Sequence, residues 1–149
     1  MSERYAFVMM VRERWWVEFR RCSQEGKKVH SFVIRGAAPP KSTLLILFYV
    51  TKPVRAIAGY AHFIERMVGN PQELWSRFSG ESVLGSKARY EEFVGNASEV
   101  SFVRFKDLNA AVNPISLSRL LMLLGVKRLS RKGFYVNNEL SDTLISMMK

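Results

Sequence analysis

The chain of 149 residues holds one cysteine, Cys22, and two histidines, His30 and His62. No internal disulfide can form, and these residues cannot assemble a standard four-ligand zinc site. Long hydrophobic runs are missing too. The longest, Leu44 to Val50, is far shorter than the roughly 20 residues a helix needs to cross a bilayer, and the amino terminus has no contiguous apolar signal segment. A soluble, cytoplasmic protein with no membrane partner is expected. The glycines form neither Gly-x-Gly-x-x-Gly nor the lysine-containing nucleoside triphosphate loop, and no nucleophile elbow or triad pattern occurs. Nucleotide hydrolysis and serine or cysteine catalysis therefore have no support, and no cofactor or metal is called for.

Acidic residues are also scarce: 13 Asp and Glu stand against 23 Lys and Arg, a formal net charge of +10. Such an excess points to an anionic partner, nucleic acid first and an acidic membrane surface second. It is unevenly spread. Residues 1–60 hold 11 basic and 4 acidic side chains, residues 61–115 hold 6 and 7, and residues 116–149 hold 6 and 2. If the two basic ends meet in the fold, they make one cationic surface beside a neutral one. Against these shortages, 48% of the residues are apolar and 24% charged, enough to bury the core of one domain spanning 1–149.

Hydrophobic periodicity divides the chain. Ala6 to Val11 is a short apolar run suited to a buried strand. From Glu13 to Gln24, Trp15, Trp16, Phe19 and Cys22 recur at helical spacing, while Arg14, Glu18, Arg21 and Glu25 occupy the other side. Gly26 caps this helix, and Lys27 to Arg35 resumes as an extended segment. Leu44 to Val50, continuously apolar, reads as a strand buried on both faces at the centre of the sheet. Val54 to Val68 is long and apolar-rich, and Gly59 inside it suggests a bend or bulge. Asn70 before Pro71, and Ser86 before Lys87, mark two helix starts, the second ended by Gly95. Val100 to Phe105 is another strand, Ser116 and Ser118 offer caps for a helix stopped by Gly125, and Leu140 to Met148 forms a final amphipathic helix. An α+β domain with a mixed or antiparallel sheet follows.

The same order of segments resembles the ASCH group of the PUA-like superfamily, and most nearly an archaeal branch of it, over about residues 6–124. The segments that carry the likeness are Gly26-Lys27-Lys28 running into a strand that ends at Arg35, Leu44 to Tyr49 followed by Thr51-x-Pro53, and Ala56-Ile57-Ala58-Gly59-Tyr60. Asn70-Pro71-Gln72-Glu73-Leu74-Trp75, Tyr90 to Gly95 and Asn113-Pro114-Ile115-Ser116-Leu117 continue it. The resemblance implies a small β-barrel of five or six strands decorated by helices, with a cleft associated with RNA or modified nucleotides. It makes 125–149 a carboxyl-terminal extension, a basic turn plus a helix. The ASCH signature Gly-x-Lys-x-x-Glu-x-Arg is stretched here to Gly26, Lys28 and Arg35, with His30 or Ser31 where the acidic residue is sought.

Three groups of residues are candidates for the site. Lys28 and Arg35 offer a mobile point charge and a planar fork to a phosphate. Tyr49, Thr51 and Lys52 end the central strand, where a phenol, a hydroxyl and an ammonium can line the barrel mouth. Arg128, Arg131 and Lys132 form a basic turn with Phe134 and Tyr135 just behind it, phosphate contacts beside a stacking face. Trp15 and Trp75 are expected in the core and Trp16 at the surface, while His30, His62 and Cys22 read as structural. The leading expectation is a module that binds RNA or a modified nucleoside. One alternative is a hydrolase of a modified nucleoside or related amide, in which Lys28 acts as a base and must be buried to do so. Another is an interaction module, monomer or homodimer, whose carboxyl-terminal helix covers a partner with Met147 and Met148.

Overall fold

A six-stranded mixed sheet organises residues 4–149, which this computed structural model describes. Its strands are β1 (Ala6–Val11), β2 (Val29–Arg35), β3 (Leu45–Val50), β4 (Ala56–Gly69), β5 (Val100–Ser116) and β6 (Phe134–Val136), in the order β2-β5-β4-β3-β1-β6. Only the β1–β3 pair is parallel. Each residue of β3 is buried, as a continuously apolar strand between two neighbours and two covered faces must be.

Side-chain alternation divides the core in two. Ala6, Val8, Leu45, Leu47 and Tyr49 pack on one face of the sheet with Leu120, Leu144 and Met148. These last three come from the helices α4 (Leu117–Leu124) and α5 (Asn138–Met148). Phe7, Met9, Val11, Ile46, Phe48 and Val50 pack on the other face, under Trp16 and Phe19 of α1 (Glu13–Gln24). A third cluster joins α2 (Pro71–Phe78) and α3 (Lys87–Val94) to β2 and β5 through Leu74, Phe78, Tyr90, Val94 and Phe102. The helix starts follow the expected chemistry. Asn70 Oδ1 accepts from the N–H groups of Gln72 and Glu73, and the Ser86 and Ser116 hydroxyls accept from the N–H groups of Arg89 and Arg119.

Four expectations need correction. The sheet is curled but is not a closed barrel: β2 pairs only with Val100–Lys106 of β5, β6 pairs only with Ala6–Val8, and no ladder joins these edges. Three register shifts bend the long β4–β5 ribbon without bringing its ends together. The strand begun at Val100 runs on to Ser116, because pairing with β4 fixes a stretch whose own composition is polar and Pro-containing. The tryptophans exchange roles: Trp16 is buried and packs on Phe48 at 5.3 Å between ring centroids, while Trp15 is half-exposed. One residue on a helix is a rotation of about 100°, and the buried stripe runs through Trp16, Phe19 and Cys22. The carboxyl-terminal helix covers its own sheet, with Met148 buried and Met147 packed against the same cluster, so its apolar face is not free for a partner.

Candidate functional site

The open seam of the sheet is a cleft of about 520 Å³. β6 covers β1 only as far as Val8, so Met10 and Val11 turn an unpaired edge towards β2, whose outer edge carries a single bridge, Ser31 to Ser82. Ser31 to Arg35 form the facing wall, Thr51 closes one end, and Phe19 and Phe93 lie within. Thr51 is held there by its N–H, which donates to the Val11 carbonyl at 2.9 Å.

Three guanidinium groups line this hollow and no carboxylate does: Arg12 and Arg14 at the junction of β1 with α1, and Arg35 at the end of β2. Arg35 Nη2 donates to Asn96 Oδ1 at 3.4 Å, and the Arg14 guanidinium lies 4.5 Å from the centroid of the Trp15 ring. Arg14 is thus directed onto the indole, and the ion pairs on its helix are Arg21 with Glu18 and Glu25. Trp15 also borders a second hollow, formed with Glu18 and Val83 and reaching Arg89, so the indole is a ridge between two grooves.

The β2 wall is anchored from below. Ser31 Oγ donates to Glu81 Oε1 at 2.8 Å, and Arg104 donates through Nε to the same oxygen at 2.8 Å and through Nη2 to Oε2 at 2.9 Å. A further Arg104 nitrogen pairs with Glu65. Burial alone would raise the Glu81 pKa, but hydrogen bonds from Arg104 and Ser31 outweigh it and hold the carboxyl below its ordinary range. His30, next along β2, is buried between Phe19 and Phe105, and its Nδ1 has no partner. Burial first, then the Lys27 charge, depress its pKa to about 4. The neutral ring is therefore the folded form, while the unfolded chain takes up its proton near 6.5. Stability should be whole above about pH 6.5 and fall towards pH 4 with uptake of one proton. Urea melts of His30→Phe should lack this slope; a variant that keeps the parent slope between pH 6.5 and 5 would assign it to other groups.

Of the residues singled out from sequence, Arg35 and Thr51 line the cleft. Tyr49 is buried on the opposite face, where desolvation raises its phenol pKa. Lys28 and Lys52 are exposed and do not line the cleft, and neither do Arg128, Arg131 and Lys132 in the turn before β6. Lys28 is exposed, so the burial required for a lysine base is absent. Arg12 and Arg14 were not singled out. Their sequence signal is Arg12-x-Arg14-Trp15 directly after a buried strand, cations and an indole at a strand-to-helix junction.

No family model matches the chain. A curated relative, an ASCH domain-containing ribonuclease from Zymomonas mobilis subsp. mobilis, is 30% identical over 105 residues, which cover 70% of this chain and 69% of that protein. The chain belongs to the ASCH domain family. Its fold agrees. The crystal structure of ASCH from Zymomonas mobilis superposes with a TM-score of 0.77 at 22% identity, covering 98% of this chain and 97% of the other. The NMR structure of Rpa0253 from Rhodopseudomonas palustris superposes at 0.54 and 12%, covering 97% and 92%. These matches support the ASCH family at large and give no support to a narrower archaeal placement.

Proposed function

We propose that this ASCH domain binds RNA in the open seam between β1 and β2. Arg12, Arg14 and Arg35 engage phosphates, the Trp15 indole receives a base, and Thr51 donates or accepts at the closed end. Lys52, beside Thr51, and Lys28, before β2, add cations at the margin. The observation that carries the reading is the composition of the cleft: three arginines, a half-buried aromatic ridge and no carboxylate. The name of the Zymomonas relative supports RNA as the polyanion.

Fluorescence anisotropy with a labelled oligoribonucleotide tests it. Affinity should fall linearly as the logarithm of salt rises, by about 0.7 of a logarithmic step for each phosphate engaged on a single strand. Arg12→Ala/Arg35→Ala should weaken binding about 10- to 100-fold and flatten that slope, and Trp15→Ala should weaken it with the slope unchanged, since stacking releases no counterions. Absence of binding at low salt, or an affinity indifferent to salt, would rule out phosphate recognition.

Cleavage of RNA is the second reading, favoured by the relative's activity. Guanidinium groups aimed at a phosphate stabilise charge that develops on it during in-line attack. The same oligoribonucleotide run on a denaturing gel decides between binding and turnover, with Arg12→Ala/Arg35→Ala expected to abolish any cleavage.

A further inference from the structure

We propose that the outer face of α4 docks this protein on an anionic lipid surface. Two features that RNA binding in the cleft leaves unused follow one another along the chain here. The first is apolar. Arg119, Met122 and Leu123 follow one another at i, i+3 and i+4 on one face of the helix, Val126 comes directly after its left-handed Gly125 cap, and Met122 is 78% exposed, Leu123 41% and Val126 47%. Leu120 is the buried anchor of the helix.

The second feature is charge. Between Asp107 and Glu139 the chain contains no acidic residue, yet it carries Arg119, Lys127, Arg128, Arg131 and Lys132, all exposed and none in an ion pair. The cations and the apolar tips are alike exposed.

Charge complementarity selects the occupant. A second copy on this face would set cation against cation. RNA would satisfy the cations and leave Met122, Leu123 and Val126 in water. An anionic bilayer surface satisfies both, the apolar tips entering the headgroup boundary and the basic flank meeting lipid phosphates. No described helix is long and apolar enough to cross a membrane, and surface docking requires none.

The test is sedimentation of the full chain with vesicles of phosphatidylcholine alone and of phosphatidylcholine with about one third phosphatidylglycerol. The protein should sediment with the anionic vesicles only. Met122→Ser/Leu123→Ser should weaken this about tenfold while RNA affinity in the cleft is unchanged, and Lys127→Glu/Arg128→Glu should abolish it. Thermal melts establish that each variant folds, and Met122→Gln alone replaces the serine pair if that pair melts early. The proposal fails if the protein ignores anionic vesicles, or if the serine pair binds them undiminished, which would leave only diffuse attraction of a basic chain. It fails equally if gel filtration shows a dimer that the serine pair dissociates, because the face would then belong to a second copy.

Discussion

Gly59→Ala should destabilise the protein by about 3 kcal/mol, near the upper end of overpacking costs, and lower its melting temperature by roughly 10 °C for a chain of this size. Gly59 sits where β4 shifts register against both of its neighbours, opposite Phe48 on one side and Ala110 on the other. A methyl group there would overlap the Asn109 carbonyl oxygen and meet the Trp16 ring at 2.5 Å. Backbone on one side cannot yield without breaking the β4–β5 ladder. The indole on the other is held against Phe48, so it cannot turn aside without opening the core beneath α1. Gly80, around which an added methyl would find open space, supplies the control: Gly80→Ala should change stability by less than about 0.5 kcal/mol. A Gly59→Ala protein melting within about two degrees of the parent would show that the β4 bend relaxes more easily than close packing allows.

The same glycine shows what could be read from the chain. A glycine inside an apolar strand signals a bulge or a close approach, and both are present, but the identity of the approaching group, Trp16 from another element, is tertiary information. Local signals were legible throughout: the Asn70-Pro71 start, the Ser86 and Ser116 caps and the α1 period each depend on residues within one or two turns. Pairing partners were not. The second half of β5 is a strand because β4 lies beside it, and β6 because three residues meet the edge of β1. The openness of the sheet follows from which edges fail to meet, which no single segment encodes.

The cleft divides along the same line. Arg35 and Thr51 were legible as polar residues ending strands. Tyr49 shares the β3 face of Leu45 and Leu47 and is buried there, while Thr51, beyond the last residue of β3 at Val50, leaves that alternation and reaches the cleft. Arg14 was hidden in the regular charge pattern of a helix and Arg12 in the junction before it, and only the open edge of β1 turns them into a lining. Of the two basic ends, the first supplies the cleft's cations, Arg12, Arg14 and Arg35, and the second supplies none of its lining.

Glu81→Ala should cost about 2–3 kcal/mol, since it leaves the half-buried Arg104 guanidinium with Glu65 and the face of the Phe78 ring alone, in a site where Arg104 is 17% and Glu81 20% exposed. Removing one member of a partly buried pair costs more than the pair contributes, because the remaining charge keeps its share of the desolvation penalty. Glu81→Gln separates the contributions. It retains an acceptor for Ser31 and one for Arg104 but removes the negative charge, and it should cost less than Glu81→Ala. The pH dependence fixes the assignment. Burial works to raise the Glu81 pKa, and the hydrogen bonds of Arg104 and Ser31 overcome it, so the folded value lies below the unfolded one of 4.5. A carboxyl with a depressed pKa contributes fully above its unfolded pKa and loses that contribution as pH falls through the folded value. The stability gap between parent and Glu81→Gln should therefore be constant above about pH 6 and narrow below the ordinary carboxylate pKa, as measured by urea melts from pH 7 to pH 3. Because Ser31 belongs to the cleft wall, Glu81→Ala should also weaken RNA binding at pH 7, where the folded variant still carries all three cleft arginines. A loss of stability with affinity unchanged would show that the Ser31 wall is held by β5 alone and that the Glu81–Arg104 pair serves only the fold.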